Sequence, residues 1–355
     1  MSTDGHTWQE ILSQSQAWQS TLDGIAAERP ALEAFLERAD FDQVAVVGCG
    51  STHYLAQCAA STLTHWTGTP AKAFPSSEVW LFPKTIPHGR WLLLAVSRSG
   101  TTTETLRALT RFREAHGGPV LAITCYPESP LAQRADFTLA APHAQEQSIA
   151  QTRSFTSMLL LAQALITAIA QDESRLEHLM RLPGLLNDLT ERIGDLPRRL
   201  GADLTSDHIF FLGAGPFYGL ANEGMLKTKE MSLSYAEAYH PLEFRHGPMS
   251  MASQTAVVVG FLSDTGLAEE LKVLKEMQGL GARTLALIED SQAISGWWPD
   301  YLVELQSGLD EWERGPLLLP PVQHMAYHRA LAKGLDPDRP HNLTAVVELP
   351  GRGSG

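Results

Sequence analysis

A short apolar run, a Gly-x-Gly turn and a helix-forming stretch occur twice in this chain, in the same order, about 164 residues apart. The first copy reads Val44 to Val47 and then Gly48-Cys49-Gly50; the second reads Ile209 to Leu212 and then Gly213-Ala214-Gly215. Later runs keep the offset: Leu92–Val96 is echoed by Val257–Leu262, and Val120–Thr124 by Thr284–Ile288. A solenoid period is far shorter. Uninterrupted apolar strands alternating with helical stretches predict a mostly parallel sheet covered on both faces. The pattern therefore predicts an α/β chain with two tandem copies of one domain.

The spacing divides the chain into a helical segment over 1–40, a first domain over 41–171, a helical connector over 172–205, a second domain over 206–332 and a tail over 333–355. In the first segment Trp8, Ile11 and Leu12, then Leu32, Phe35 and Leu36, have helical spacing, with Pro30 expected to start the second helix. Further helices are expected over 102–115 and 153–170, and a short strand at Phe137–Leu139. Leu317–Leu319 reads as a further strand, and Ala345–Leu349 as a β-like run in a Pro- and Gly-rich tail.

The chain has 355 residues, 44% hydrophobic, with a formal net charge of −13. That charge argues against nucleic acid as a partner, since phosphate backbones are held by clustered Lys and Arg. Cys49, Cys58 and Cys125 have neither disulfide-framework nor zinc-site spacing. The polar start lacks a signal-peptide apolar region. Met158–Ala170, interrupted by Gln163, reads as a core helix rather than a membrane span. A soluble, cytoplasmic protein is expected.

Ser97-Arg98-Ser99-Gly100-Thr101-Thr102 follows the strand ending at Val96 and precedes a helix. Such a turn offers backbone N–H groups and partial positive charge to an anion. Ser97, Ser99 and Thr102 add hydroxyl donors. The turn alone fits equally well an ordinary N-cap cluster. The second copy has Ser263-Asp264-Thr265-Gly266, where Asp264 would repel a phosphate, so one phosphate site per chain is expected, in the first domain. The turn at Gly48–Thr52 lies on the same sheet edge and brings Ser51 and Thr52 as partners for sugar hydroxyls. His53 and Tyr218 stand where a dinucleotide fingerprint needs its third glycine, which disfavours that ligand.

Glu223, Lys227 and Glu230 are spaced by four and three, on one helical face. Aimed into a pocket, they can move a proton and steady an oxyanion. Spacing alone fits better an exposed row of ion pairs, which contributes little. His246 in His246-Gly247-Pro248 is an imidazole at a loop apex, a residue type suited to opening a sugar ring near neutral pH, although any histidine taken singly fits better a structural or surface role.

Taken in order, five motifs resemble the sugar isomerase (SIS) domain family: Gly48–Thr52, Ser97–Thr102, Ile149–Thr156, Glu223–His246 and Lys333–Leu343. They look closest to the isomerase half of glutamine–fructose-6-phosphate aminotransferases and to stand-alone glucosamine-6-phosphate deaminases. The resemblance implies two tandem SIS domains. Ser97, Arg98, Ser99 and Thr102 would hold a sugar phosphate, with Ser51, Thr52, Gln151 and Glu223 among the binding residues. Glu230 would shuttle a proton between C1 and C2, and Lys227 would stabilise charge on a substrate oxygen. His246 would assist ring opening from a neighbouring subunit, which implies a homodimer with shared sites. Lys333 would sit over the sugar as a Schiff-base group. No metal or organic cofactor is implied. Arg98, Thr101, Gln151 and Arg153 depart from the aminotransferase pattern (Gln, Glu, Ser and Lys). Only some forty residues precede the first copy, without an N-terminal nucleophilic Cys. That points to release of ammonia rather than its capture from glutamine. The expected reaction takes a hexosamine 6-phosphate, with glucosamine 6-phosphate favoured, to a ketose 6-phosphate and ammonia. The rivals are a hexose 6-phosphate aldose–ketose isomerase, a fructosamine-phosphate deglycase, and a non-catalytic phosphosugar sensor. The last is disfavoured because no basic recognition helix precedes the first domain.

Overall fold

The computed structural model describes residues 5–344. Helices α1 (His6–Leu12) and α2 (Gln14–Arg38) lead into the first sheet. That half runs β1 (Gln43–Gly48), α3 (Ser51–Thr67), β2 (Ala71–Pro75), α4 (Ser76–Leu81), β3 (Trp91–Val96), α5 (Thr103–His116), β4 (Val120–Thr124), α6 (Pro130–Arg134), β5 (Phe137–Ala140) and α7 (Arg153–Ala170). Helices α8 (Glu173–Leu179), α9 (Leu182–Ile193) and α10 (Leu196–Ala202) connect the halves. The second half runs β6 (His208–Gly213), α11 (Phe217–Ser232), β7 (Tyr235–Tyr239), α12 (Pro241–Phe244), β8 (Ala256–Phe261), α13 (Leu267–Gly279), β9 (Arg283–Ile288), β10 (Tyr301–Glu304) and α14 (Leu319–Ala332).

Both sheets have five parallel strands, in the orders β2-β1-β3-β4-β5 and β10-β9-β8-β6-β7. This is the expected α/β architecture of two tandem copies. Alternate strand residues serve different cores. Val44, Val46, Leu92 and Leu94 join α2, α3 and α7 in one cluster that continues into the second half through Phe211 and Val259. Ala45, Val47, Leu93 and Ala95 pack under Leu109 and Phe112 of α5. Helix α7 is long and apolar enough to cross a membrane by length and composition, but it is buried in the first of these clusters.

In each sheet the chain order reverses beside the first strand, between β1 and β3 and between β6 and β8. The crevice at the carboxyl ends of such strands is where open α/β sheets bind ligands. In the first half it is flanked by Gly48–Thr52 and by 97–102.

Two local expectations need correction. Pro30 does not start a helix: α2 is continuous through it. Pro30 faces solvent, so the carbonyl its missing N–H leaves unpaired can turn to water, while buried Arg29 ties the same turn to Thr167 (2.8 Å) and Glu173 (2.5 Å). Leu317–Leu319 is a 3-10 turn running into α14. Pro316, Pro320 and Pro321 around it have no N–H for a ladder but suit a helix start. The last strand of that sheet is instead Tyr301–Glu304, paired with β9. The β-like run Ala345–Leu349 lies outside the described residues.

Candidate active site

Two turns of the first half and one helix of the second build a single cleft. Its lining includes Cys49, Gly50, Ser51, Arg98, Thr102, Glu104, Gln151 and Glu230, with Leu343 and Thr344 of the tail closing one side.

The 97–102 turn is held by its own hydroxyls. Ser97 Oγ lies 3.1 Å from Thr102 Oγ1 and accepts the Gly100 N–H at 3.1 Å. Ser99 Oγ accepts from the Thr101 N–H and hydroxyl, at 3.2 and 3.0 Å. Gly100 has φ +64°, and a Cβ there would collide with Ser129. Thr102 is the N-cap of α5 but makes no side-chain cap bond, so no Thr102 hydroxyl covers the N-terminal amides of that helix.

The equivalent turn in the second half is filled from within. Glu311 accepts from the backbone N–H groups of Asp264 (2.5 Å) and Thr265 (3.0 Å) and from the Thr265 hydroxyl (2.6 Å). Glu270 takes the Ser263 N–H and hydroxyl, at 2.7 and 2.9 Å. Asp264 is gripped by both terminal nitrogens of buried Arg314. Two carboxylates occupy the places an anion would take, so the duplicated turn is a structural element.

Arg98 turns inward. Its guanidinium donates to Glu146 (3.2 Å) and to the carbonyls of Ser148 (3.4 Å) and Ile149 (3.0 Å), bracing the loop that carries Gln151 into the cleft. Gln151 Oε1 is buried without a hydrogen-bond partner, as is Glu104 Oε2. Thr52 is spent on its own turn: its Oγ1 accepts the Cys49 N–H at 2.8 Å and donates to the Cys49 carbonyl at 3.0 Å.

Glu223, Lys227 and Glu230 lie on α11, and this face is no exposed row. Lys227 and Glu223 have no side-chain exposure, and Glu230 has 19%. Lys227 Nζ sits 3.3 Å from Glu223 Oε1, donates to Glu230 Oε2, and reaches across to Ser51 Oγ of the first half at 3.2 Å. The crossing is close because α11 meets α3 at Gly219, where a Cβ would collide with Cys58 and the Tyr54 carbonyl. Burial pushes Glu223 up to about 8, with Glu230 adding to the rise and Lys227 opposing it. Burial works against the Lys227 charge, but Glu223 and Glu230 outweigh it and hold its pKa above the ordinary value. A fixed cation with a cleft-facing carboxylate suits proton transfer next to a developing oxyanion.

These buried acids set a pH dependence. Burial also pushes Glu270 up to about 7, helped by Glu311 and Asp264. A carboxyl whose pKa is higher folded than unfolded binds more protons in the native state, so its contribution is present at low pH and lost as pH rises through the folded pKa. Buried His324, held down to about 4, acts oppositely, but only below the ordinary histidine range. The melting temperature is therefore expected to fall between about pH 6.5 and 8.5. Glu223→Gln combined with Glu270→Gln should flatten that slope in a thermal-melt series; an unchanged slope would refute the assignment.

Of the sequence-predicted residues, Ser51, Arg98, Thr102, Gln151 and Glu230 line the cleft; Thr52, Ser97, Ser99, Glu223 and Lys227 are not among its lining residues, and Lys333 and His246 are turned to other surroundings. Lys333 Nζ donates to the carbonyls of Ser232 (2.8 Å) and Leu233 (3.0 Å) and to Ser234 Oγ (3.1 Å), so its charge satisfies the C-terminus of α11. His246 lies on an exposed turn after α12, outside the cleft lining of its own chain. Sequence reasoning missed Glu104, whose only signal is its place in the first turn of α5; the tail, expected to cover the site, supplies the wall residues Leu343 and Thr344.

A model of the SIS domain matches residues 39–168 and 204–327. The glutamine–fructose-6-phosphate aminotransferase (isomerizing) of Pseudomonas aeruginosa is 30% identical over 96% of this chain, and that of Pseudomonas putida 29%. The chain spans 58% of the length of these relatives. A structure described as glucosamine-6-phosphate deaminase from Thermotoga maritima superimposes with a TM-score of 0.79 at 29% identity, covering 97% of this chain and 100% of that one. One described as tagatose-6-phosphate ketose/aldose isomerase from Escherichia coli gives 0.88 at 25% identity, covering 99% and 98%.

Proposed function

The chain belongs to the SIS domain family, and from that premise we propose that it is a phosphosugar isomerase of the family that works as a deaminase, converting a hexosamine 6-phosphate to a ketose 6-phosphate and ammonia. The observation that carries this reading is the cleft: the 97–102 turn leading into α5, where Thr102 makes no side-chain cap bond, on one wall, and on another a carboxylate paired to a buried ammonium. Similarity to the Thermotoga protein supports the deaminating form, with glucosamine 6-phosphate as the first substrate to try.

In this reading the phosphate sits on the 97–102 turn, with Gln151 and Ser51 toward the sugar. Glu230 removes the proton from C2 of the open-chain amino aldose, and Lys227 steadies the negative charge on the C1 oxygen. Return of a proton to C1 gives the C2 imine; water adds to it and ammonia leaves. No redox step enters, because the neighbouring carbonyl already acidifies the C2 hydrogen. Lys333 has a structural part here, holding the end of α11 that carries Glu230.

A plain aldose–ketose isomerase is the second reading, favoured by the superposition on the Escherichia coli protein. The deciding experiment incubates the chain with glucosamine 6-phosphate, galactosamine 6-phosphate and the matching hexose 6-phosphates, scoring ammonia and ketose phosphate separately. Ammonia in step with ketose phosphate upholds the deaminase. Ketose phosphate from the hexose substrates alone replaces it with the isomerase, and neither product sinks both.

Ring opening falls to His246 of a second copy in a homodimer with shared sites, since this chain's own His246 is away from its cleft. Glu230→Ala and His246→Ala proteins, each inactive, should complement on mixing. Random dimers would regain about a quarter of the sites, because only mixed dimers join an intact Glu230 to an intact His246. Failure to regain activity after subunit exchange would place the imidazole outside the reaction.

A further inference from the structure

The first helix is short, and nothing in the reaction above uses it, yet it is tied to the loop, the helix and the tail that form three sides of the cleft. Glu10 is 3% exposed. Its carboxylate accepts the Gln147 N–H at 2.6 Å and the Ser148 N–H at 3.3 Å, and takes the Ser148 hydroxyl as well. Those residues begin the loop whose Ile149 and Gln151 line the cleft, and whose 148 and 149 carbonyls hold Arg98 of the phosphate turn. One residue on, Ile11 shares a buried cluster with Ala150, between those two lining residues, and with Met231, next to Glu230. Trp8 fixes the helix on α14 by stacking on Tyr327, ring centroids 4.9 Å apart. At the other end Asp338 accepts from the N–H groups of His6 (2.9 Å) and Thr7 (2.7 Å) and from the Thr7 hydroxyl (2.6 Å). A few residues beyond Asp338 the chain reaches Leu343 and Thr344, the tail wall of the same cleft.

We propose that α1 is the keystone of the cleft, with Glu10 and Asp338 as positioning residues that hold the 146–151 loop, the phosphate turn behind it and the C-terminal tail in one binding geometry. A buried carboxylate spanning two successive backbone amides fixes a loop far more tightly than apolar packing, because losing it leaves those donors unsatisfied. The loop would then drift, and Arg98 with it. As a claim about substrate binding this rests on the phosphosugar reading above; as a claim about coupling it does not.

The test therefore has two arms, both on the full chain well below its melting temperature. Hydrogen exchange is followed by mass spectrometry in wild type, Glu10→Ala, Glu10→Gln, Asp338→Ala and, as a remote control, Arg283→Ala, which cuts a brace to Asp203 and Thr205 in the second half. Peptides covering 97–102 contain no atom that Glu10 touches. They should exchange roughly tenfold faster in Glu10→Ala, with partial rescue in Glu10→Gln, which keeps one acceptor, and no change in the control. In the second arm, calorimetric binding of glucitol 6-phosphate, an open-chain phosphate ester that cannot react, should weaken roughly tenfold in Glu10→Ala and in Asp338→Ala, KM rising more than kcat falls. Exchange of 97–102 within twofold of wild type, or acceleration as large in Arg283→Ala, overturns the keystone. Should Glu10→Ala fail to fold, Asp338→Ala and Glu10→Gln decide by the same criteria. A wild type that does not bind the ester sinks the phosphosugar reading instead, and the exchange arm still decides the coupling.

Discussion

Glu230→Gln is expected to lower turnover by about 10³-fold while leaving binding of the phosphate ester within a few fold of wild type. The argument is positional. Glu230 is the member of the α11 row that reaches the cleft, and the buried Lys227 beside it gives its carboxylate a fixed orientation. Removing the charge takes away the proposed base for the C2 proton without disturbing the 97–102 turn on the other wall. The loss should therefore fall on kcat. Steady-state kinetics with calorimetry on the same preparation will show it. A variant retaining more than about a tenth of wild-type kcat would remove Glu230 from the proton path.

Lys227→Met is expected to destabilise the fold by about 3 kcal/mol or more. The ammonium is fully buried, contacts two carboxylates and donates to Ser51 across the junction of the halves. Methionine preserves much of the stem volume, so the cost is mostly electrostatic: the Glu230 carboxylate loses its partner, and Glu223, already pushed up to about 8 by burial, loses the charge that opposed that rise. The double variant Lys227→Met with Glu230→Gln should recover much of the loss, because the stranded charge goes with its partner. Denaturant titration of wild type, both single variants and the double closes the cycle. Additive effects of the two substitutions would show that they do not interact. Activity should be lost in every variant lacking Lys227, whatever its stability.

The central strands of both sheets were legible because a strand buried on both faces must be apolar at every position, as in Leu92–Val96 and Val257–Phe261. The edge strands β2, β7 and β10 were not. Ala71–Pro75 and Tyr235–Tyr239 mix exposed and buried residues, and their pairing follows from their neighbours rather than from their own pattern. Spacing placed Glu223, Lys227 and Glu230 on one face but left open whether that face met water. The close crossing at Gly219 decided it by bringing α3 down over the row. Lys333, read as a group over the sugar, turned to the nearer acceptors at the end of α11.

The sequence by itself determined the duplicated α/β plan, the turn at 97–102 and the acid–base row, since each is written in local composition and spacing that few other structures can satisfy. Only the tertiary structure decided which copy of the turn is filled by carboxylates, which charges are stripped of water and which distant residues brace the cleft. Those depend on partners far apart in the chain: Glu311 filling the turn at 263–266, Ser51 meeting Lys227, and Glu10 holding Ser148. A side chain's role there is set by which donor or charge lies within hydrogen-bond reach once the helices have packed, and no local pattern encodes that.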